Sequence, residues 1–324
     1  MDVLHFKDLV HRLKDPMVAE AHAFVSNADP LLVDLSTVSH DPEPVIQPAC
    51  PVIGVVTSTT LDQPIPEVVD VVAHSPAEME ILIRACRNSP QAATVLVQVL
   101  RHNAGSDVWQ GLLTESLAYS TLQHGSTFVN WLGAKKPAAG KAPQDESPVL
   151  MARVQDELTV TLNRPALHNA YSAAMRDGLI EALQLALLDQ KLRVRLMGNG
   201  PSFSAGGDLN EFGEARDAAI AHVTRTARSA AWMMHQLKDR MTVQLHGACI
   251  GAGIELPAFC ARIEARRDAL FRLPEVGFGL VPGAGGTVSV TRRIGRLKTA
   301  WFALSDQTID AVTALEWGLI DSIN

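Results

Sequence analysis

Two acidic residues in the second half of the chain, Glu255 and Glu275, stand beside glycine-rich turns, a setting suited to moving protons next to a polarised carbonyl. Three such turns occur: Ser204-Ala205-Gly206-Gly207-Asp208, Gly247 through Gly253, and Pro282-Gly283-Ala284-Gly285-Gly286-Thr287. Glycine lets the backbone approach a ligand closely and expose N–H groups, which can hold an anion or polarise a carbonyl. None of the turns fits a phosphate-binding template: no G-x-x-x-x-G-K-[ST] loop is present, and Leu256 stands where a dinucleotide fingerprint counted from Gly251 needs glycine. Each turn alone also serves simple chain reversal, and a carboxylate such as Glu255 at a helix start also complements the helix dipole. Spacing along the chain does not by itself bring the two acids together.

Other polar residues read as supports. His246 precedes the second turn at a strand end, Cys249 and Cys260 are flanked by apolar residues and read as core, and Asp208 is placed to brace its loop by hydrogen bonds. The pairs Arg266-Arg267 and Arg292-Arg293 read as solvated faces, with phosphate contact as the alternative.

The elements that must position these residues divide the chain. A length of 324 residues with 47 % hydrophobic content favours two domains. The net charge of −7 leaves no basic excess for steering nucleic acid, so no nucleic-acid partner is expected. The four cysteines, Cys50, Cys86, Cys249 and Cys260, show no zinc-like or redox spacing, so no metal is expected and a reducing compartment is. Acids and bases interrupt the start of the chain where a signal peptide would be apolar, and no run approaches the length of a membrane span. The expectation is a cytoplasmic protein without membrane contact.

Residues 135–148, rich in Pro, Ala, Gly and charge, read as a linker. Before it, residues 1–134 form a mixed α and β region: β-type runs at Leu31–Leu35, Pro51–Val56 and Val68–Val72, then helical spacing over 76–132. After it, 149–324 alternates strands near 150–163, 194–198, 242–246 and 268–272 with helices near 171–189, 215–238, 253–262, 286–293 and 309–316. Strands separated by helical crossovers predict a layered α/β fold.

Five ordered segments resemble the enoyl-CoA hydratase/isomerase, or crotonase, family: Asn163 through Ala170, Phe203 through Leu209, His246 through Leu256, Phe271 through Thr287, and Ala314 through Asp321. The resemblance implies a crotonase-like layered β/β/α core over 149–324. It implies an acyl-CoA substrate whose coenzyme A is contacted around Ala166, Leu167, His168 and Ala170, with Gly206, Gly207, Asp208, Gly251 and Pro274 lining the site. The oxyanion hole would be the backbone N–H groups of Ala205 and Ala252. Glu255 and Glu275 would hold water and deliver a proton to Cα, with Gly283 helping to orient that water. This implies hydration of a 2-enoyl-CoA to a 3-hydroxyacyl-CoA, with no cofactor other than the substrate's own coenzyme A, in a homo-oligomer, trimer or hexamer. The alternatives are another enolate reaction, namely isomerisation, thioester hydrolysis or decarboxylation, or a noncatalytic acyl-CoA-binding scaffold. Ala252 departs from the family's usual glycine, and alanine would be strained there if its φ were positive.

By the same resemblance, family members continue beyond the Trp317-Gly318-Leu319-Ile320-Asp321 signature into helices that close over the site, whereas this sequence ends at Asn324. Val68–Val72, Pro76–Arg87, Ser89–Ala93 and Glu115–Tyr119 with Phe128 loosely resemble that later region, and 30–56 a degenerate core remnant. The expectation is that the N-terminal helices pack on the catalytic half and take that place.

Overall fold

A computed structural model of the chain describes residues 2–25, 28–38, 47–57, 64–135, 147–215 and 217–324. The interior of the expected linker, 136–146, lies outside the described residues.

The N-terminal region carries a four-stranded parallel sheet in the order β1 (Leu4–His5), β2 (Leu31–Asp34), β3 (Val52–Val55) and β4 (Val71–Ala73). Nearly every side chain of β2, β3 and β4 is buried, as expected for a parallel sheet covered on both faces. Helices α1 (Phe6–Leu13) and α2 (Val18–Ala21) accompany it. Four helices follow: α3 (Pro76–Asn88), α4 (Pro90–Asn103), α5 (Val108–Leu122) and α6 (Ser126–Ala134). Their starts are written locally. Ser75 accepts the N–H of Glu78 ahead of Pro76, and Asp107 accepts that of Gln110, each meeting a donor that the helix cannot satisfy itself.

The C-terminal half opens with a hairpin, β5 (Val149–Val154) and β6 (Glu157–Leu162), rather than one strand over 150–163. The turn lacks glycine, and Gln155 takes the left-handed conformation at φ 53°. Helix α7 (Ala173–Leu188) leads to β7 (Arg193–Gly198), α8 (Ala218–Ala227), α9 (Ala230–Leu237) and β8 (Met241–Leu245). The expected helix over 215–238 is thus two, broken where Ser229 caps α9 by accepting from Trp232 N–H. Then come β9 (Ala248–Ile250), the single turn α10 (Ala252–Glu255), β10 (Arg262–Ala265) and β11 (Leu270–Arg272). The helix expected over 253–262 fails because Pro257 brings no N–H and crowds the preceding turn. The chain closes with α11 (Gly286–Ile294), α12 (Arg296–Ser305), β12 (Ile309–Asp310), α13 (Ala311–Trp317) and β13 (Ser322–Ile323), of which α12 was not expected.

One six-stranded sheet, in the order β13-β10-β8-β7-β6-β5, stands beside a three-stranded sheet in the order β12-β11-β9. Alternation along β6, β7 and β8 buries Leu158, Val160, Val194, Leu196, Met241 and Val243 on one face.

The two regions share a core. Leu82, Leu96, Leu100 and Leu112 lie in one buried cluster with Val288, Val290, Phe302 and Ala303 of α11 and α12. Asp70, 1 % exposed, pins the seam: it meets Arg101 of α4 at 2.5 Å and Arg296 of α12 at 3.1 Å, and accepts Val52 N–H. Removing one member of such a buried ion cluster typically costs about 3–5 kcal/mol. Among the described residues no helix is long and apolar enough to cross a membrane.

Candidate active site

Backbone hydrogen bonds stitch two of the glycine-rich turns together. Ser204 N–H donates to Ala248 O at 3.0 Å, and Ile250 N–H returns the bond to Ser204 O at 3.0 Å. The edges of the two loops therefore face one cavity, and each offers it a spare donor. Among the described residues no acceptor meets the N–H of Gly207 or that of Ala252, and both residues line the cavity. Ala252 opens α10, where the first N–H groups of a helix have no intrahelical partner.

Two expectations are corrected here. Ala205 cannot serve as the first oxyanion donor, because its N–H donates to His168 O at 2.9 Å; Gly207, two residues on, presents the free one. Ala252 is not strained either: the positive φ of the turn, 49°, falls on Gly251.

Gly251 also sits where no side chain fits. A Cβ there would lie 2.4 Å from Glu275 Oε1 and 3.7 Å from Glu255 Oε1, so the two carboxylates converge on this glycine. Glu255 ends α10, and its Oε2 accepts the N–H groups of Ala284 at 2.7 Å and Gly286 at 2.9 Å. Glu275 begins the short turn Glu275–Phe278 behind Pro274, and its buried Oε2 has no hydrogen-bond partner among the described residues.

These surroundings separate the pair electrostatically. Burial pushes the Glu255 carboxyl up to about 7, against the pull of its backbone donors. Burial, reinforced by the charge of Glu255, pushes Glu275 well above the ordinary carboxylate range, with no comparable donors to offset it.

A third buried carboxylate belongs to the same site and comes from the other region. Glu115 of α5 accepts Gly285 N–H at 2.7 Å, Thr287 N–H at 2.9 Å and the Thr287 hydroxyl at 2.6 Å. Glu115 and Glu255 thus hold alternate N–H groups along 284–287, one carboxylate on each side of the α11 start. Burial first, then the charge of Glu255, raises Glu115 to about 8. Asn103 of α4 adds a bond from its Nδ2 to Thr287 Oγ1 at 3.0 Å. Gly285, at φ 105°, permits the sharp turn that aims these groups both ways. Sequence reasoning missed Glu115 as a site residue; the signal available was that it is the one charged residue in the helix Val108–Leu122.

The cavity measures about 300 Å³. Of the expected site residues it is lined by Gly207, Asp208, Ala252, Glu255, Glu275 and Gly283. Asp208 braces the loop as expected, pairing with Arg164 at 2.9 Å and accepting Asn210 N–H. Gly206, Gly251 and Pro274 stand behind the lining, and Ala166, Leu167, His168 and Ala170 lie just outside it, ahead of the lining residues Tyr171, Ser172 and Ala173. His246 holds Gly200 O from a strand end, and Cys249 and Cys260 are buried. From the N-terminal region Trp109, Leu112, Glu115, Ser116, Tyr119 and Gln123 complete the wall.

The model of the family described as enoyl-CoA hydratase/isomerase matches residues 155–324. A 2,3-dehydroadipyl-CoA hydratase of Escherichia coli is 35 % identical over 179 residues, which are 55 % of this chain and 69 % of that protein. A putative enoyl-CoA hydratase/isomerase of Bacillus subtilis is 34 % identical over 164 residues, 50 % of this chain and 64 % of the relative. The match therefore spans about two thirds of the length of these relatives. Among solved structures, the enoyl-CoA hydratase of Thermoplasma volcanium superposes with a TM-score of 0.51 at 29 % identity, covering 55 % of this chain and 72 % of that one. With the layered α/β core, the stitched glycine turns and the paired glutamates in place, the chain belongs to the enoyl-CoA hydratase/isomerase family.

Proposed function

We propose that the protein hydrates a 2-enoyl-CoA to the 3-hydroxyacyl-CoA. The observation that carries this reading is the unequal setting of two converging glutamates: Glu255 has backbone donors that favour its anion, and Glu275 has a bare, buried oxygen that favours its acid. In this mechanism the thioester oxygen accepts the N–H groups of Gly207 and Ala252. Donors preorganised for a developing oxyanion are each worth about 3–4 kcal/mol of barrier. Glu255 takes a proton from the attacking water, which adds at C3, and the electron pair moves through the double bond onto the thioester as an enolate. Glu275 then gives its proton to C2. Water is consumed whole and no oxidant or reductant is needed. Isomerisation passes through a dienolate held by the same donors, with one acid shuttling the proton, and the presence of two carboxylates, rather than Glu275 alone, favours hydration.

The test is loss of the conjugated enoyl thioester absorbance on mixing the protein with short, medium and aromatic 2-enoyl-CoA substrates. Glu255→Gln and Glu275→Gln should each lower turnover by about 10²-fold or more while acyl-CoA binding survives. Folded protein inert toward the whole panel would refute the hydratase reading, and turnover within about threefold of the parent for either variant would refute the two-carboxylate mechanism.

A further inference from the structure

Three arginines line the cavity, and one differs from the others. Arg176 and Arg228 both pair with Asp177 at 2.9 Å. Arg225 of α8 has no carboxylate within 4 Å among the described residues. Its Nη1 donates to Ser116 O, Ser116 Oγ and Ser120 Oγ, its Nη2 to Gln123 Oε1, and its Nε–H meets no acceptor among the described residues. The guanidinium lies 4.7 Å from the centre of the Tyr119 ring. Of the acids that share the cavity, Glu115 and Glu255 are engaged on loop N–H groups, Asp208 on Arg164 and Glu211 on Ala173 N–H, while Glu275, with its bare oxygen, stands against Gly251 and makes no ion pair with Arg225.

The position of this cation defines what it can read. The Tyr119 ring that carries it packs on Gly283, where an added Cβ would be 2.3 Å from the ring, and Gly283 adjoins the Ala284 N–H that holds Glu255. Arg225 is therefore one ring away from the paired glutamates, whereas residues 166–170, expected to face coenzyme A, lie outside the cavity lining. That places it toward the acyl end of the substrate. A half-buried guanidinium held only by neutral oxygens keeps an unspent charge and a planar donor edge, which matches a carboxylate better than any neutral group.

We infer that Arg225 is a specificity-determining residue that selects acyl-CoA substrates whose acyl chain ends in a carboxylate. This rests on the acyl-CoA reading above but not on turnover, because binding alone reports it. Burial holds the Arg225 guanidinium below its usual basicity, in keeping with a charge that lacks a carboxylate partner.

The experiment compares binding, by calorimetry on the full chain, of short and medium saturated acyl-CoAs ending in a methyl group with equal-length acyl-CoAs ending in a carboxylate. The parent protein should bind the best carboxylate-ended ligand at least about tenfold more tightly than its methyl-ended counterpart, the scale expected when a site built for a polar partner meets an analogue lacking it. Arg225→Gln should abolish that preference by weakening only the carboxylate-ended ligand, leaving the methyl-ended one within about threefold. Arg225→Lys, which keeps the charge and loses the fork, should retain part of the preference. Equal or tighter binding of the methyl-ended series by the parent protein would overturn the inference, as would equal weakening of both series in a folded Arg225→Gln, the mark of a clamp between α5 and α8. Should Arg225→Gln fail to fold, the parent ratio and Arg225→Lys decide. Absence of binding by both series would overturn the acyl-CoA reading itself, an outcome distinct from binding without preference.

Discussion

The two regions of the molecule each bring a buried carboxylate to the same cavity, and they use it in opposite ways. Glu115, from the N-terminal helices, has its oxygens filled by two backbone N–H groups and a hydroxyl. Glu275, from the C-terminal half, keeps one buried oxygen without a partner. Glu255 stands between these extremes, with Oε2 anchored by two N–H groups and Oε1 turned toward Gly251. A saturated carboxylate is a fastening, whereas one left bare in a cavity pays its desolvation for a reactant still to arrive. The comparison separates positioning from chemistry without reference to which half of the chain a residue comes from.

The sharpest way to break this comparison is to remove one side of it. A fragment of residues 149–324 would expose the faces of α11 and α12 that Leu82, Leu96, Leu100 and Leu112 cover, and would leave Gly285 and Thr287 without Glu115. The expected outcome is aggregation and complete loss of acyl-CoA turnover, read by light scattering and the enoyl absorbance assay. A soluble, fully active fragment would show that the N-terminal region is an appendage.

A smaller effect concerns stability. Glu115 at about 8, Glu255 at about 7 and the raised Glu275 all bind their protons more tightly in the folded protein than in the unfolded chain, where glutamate titrates near 4.5. Their stabilising contribution is therefore complete below the unfolded value and is lost as pH rises through the folded values. Melting temperature should fall by several degrees between about pH 5.5 and about pH 8.5, and Glu115→Gln should flatten that slope. A melting temperature that climbs over this range would show that the three carboxylates do not share a buried site.

Much of this arrangement was legible in the sequence, for reasons that differ along the chain. Glu255 and Glu275 could be singled out because glycine turns punctuate the chain next to them, and backbone-lined sites leave that mark. The helices α3 to α6 were visible through apolar spacing over 76–132. The donor in the first loop was misplaced because the loop's composition does not say which N–H a neighbouring carbonyl will consume, and His168 O consumes that of Ala205. The hairpin turn at Gln155 was missed because a residue other than glycine took the left-handed conformation. Glu115 and Arg225 were invisible as site residues because their meaning lies entirely in tertiary neighbours: Gly285 and Thr287 lie 170 and 172 positions away in sequence from Glu115, and Ser116 lies 109 positions from Arg225.

The central claim is that a carboxylate from the N-terminal helices positions the loop on which the catalytic pair depends, and the most direct test is Glu115→Gln followed by the pH dependence of 2-enoyl-CoA hydration. The amide keeps the size of the side chain but turns one acceptor into a donor facing an N–H, so the seat of Glu255 on Ala284 and Gly286 loosens. The account predicts that kcat falls about tenfold with KM changed by less than about threefold, and that the acidic limb of the pH profile moves to higher pH as Glu255 loses hold of the backbone donors that favour its anion. A kcat within about twofold of the parent and an unmoved acidic limb would contradict it, leaving Glu115 a packing residue and the N-terminal helices a cover over a site complete without them.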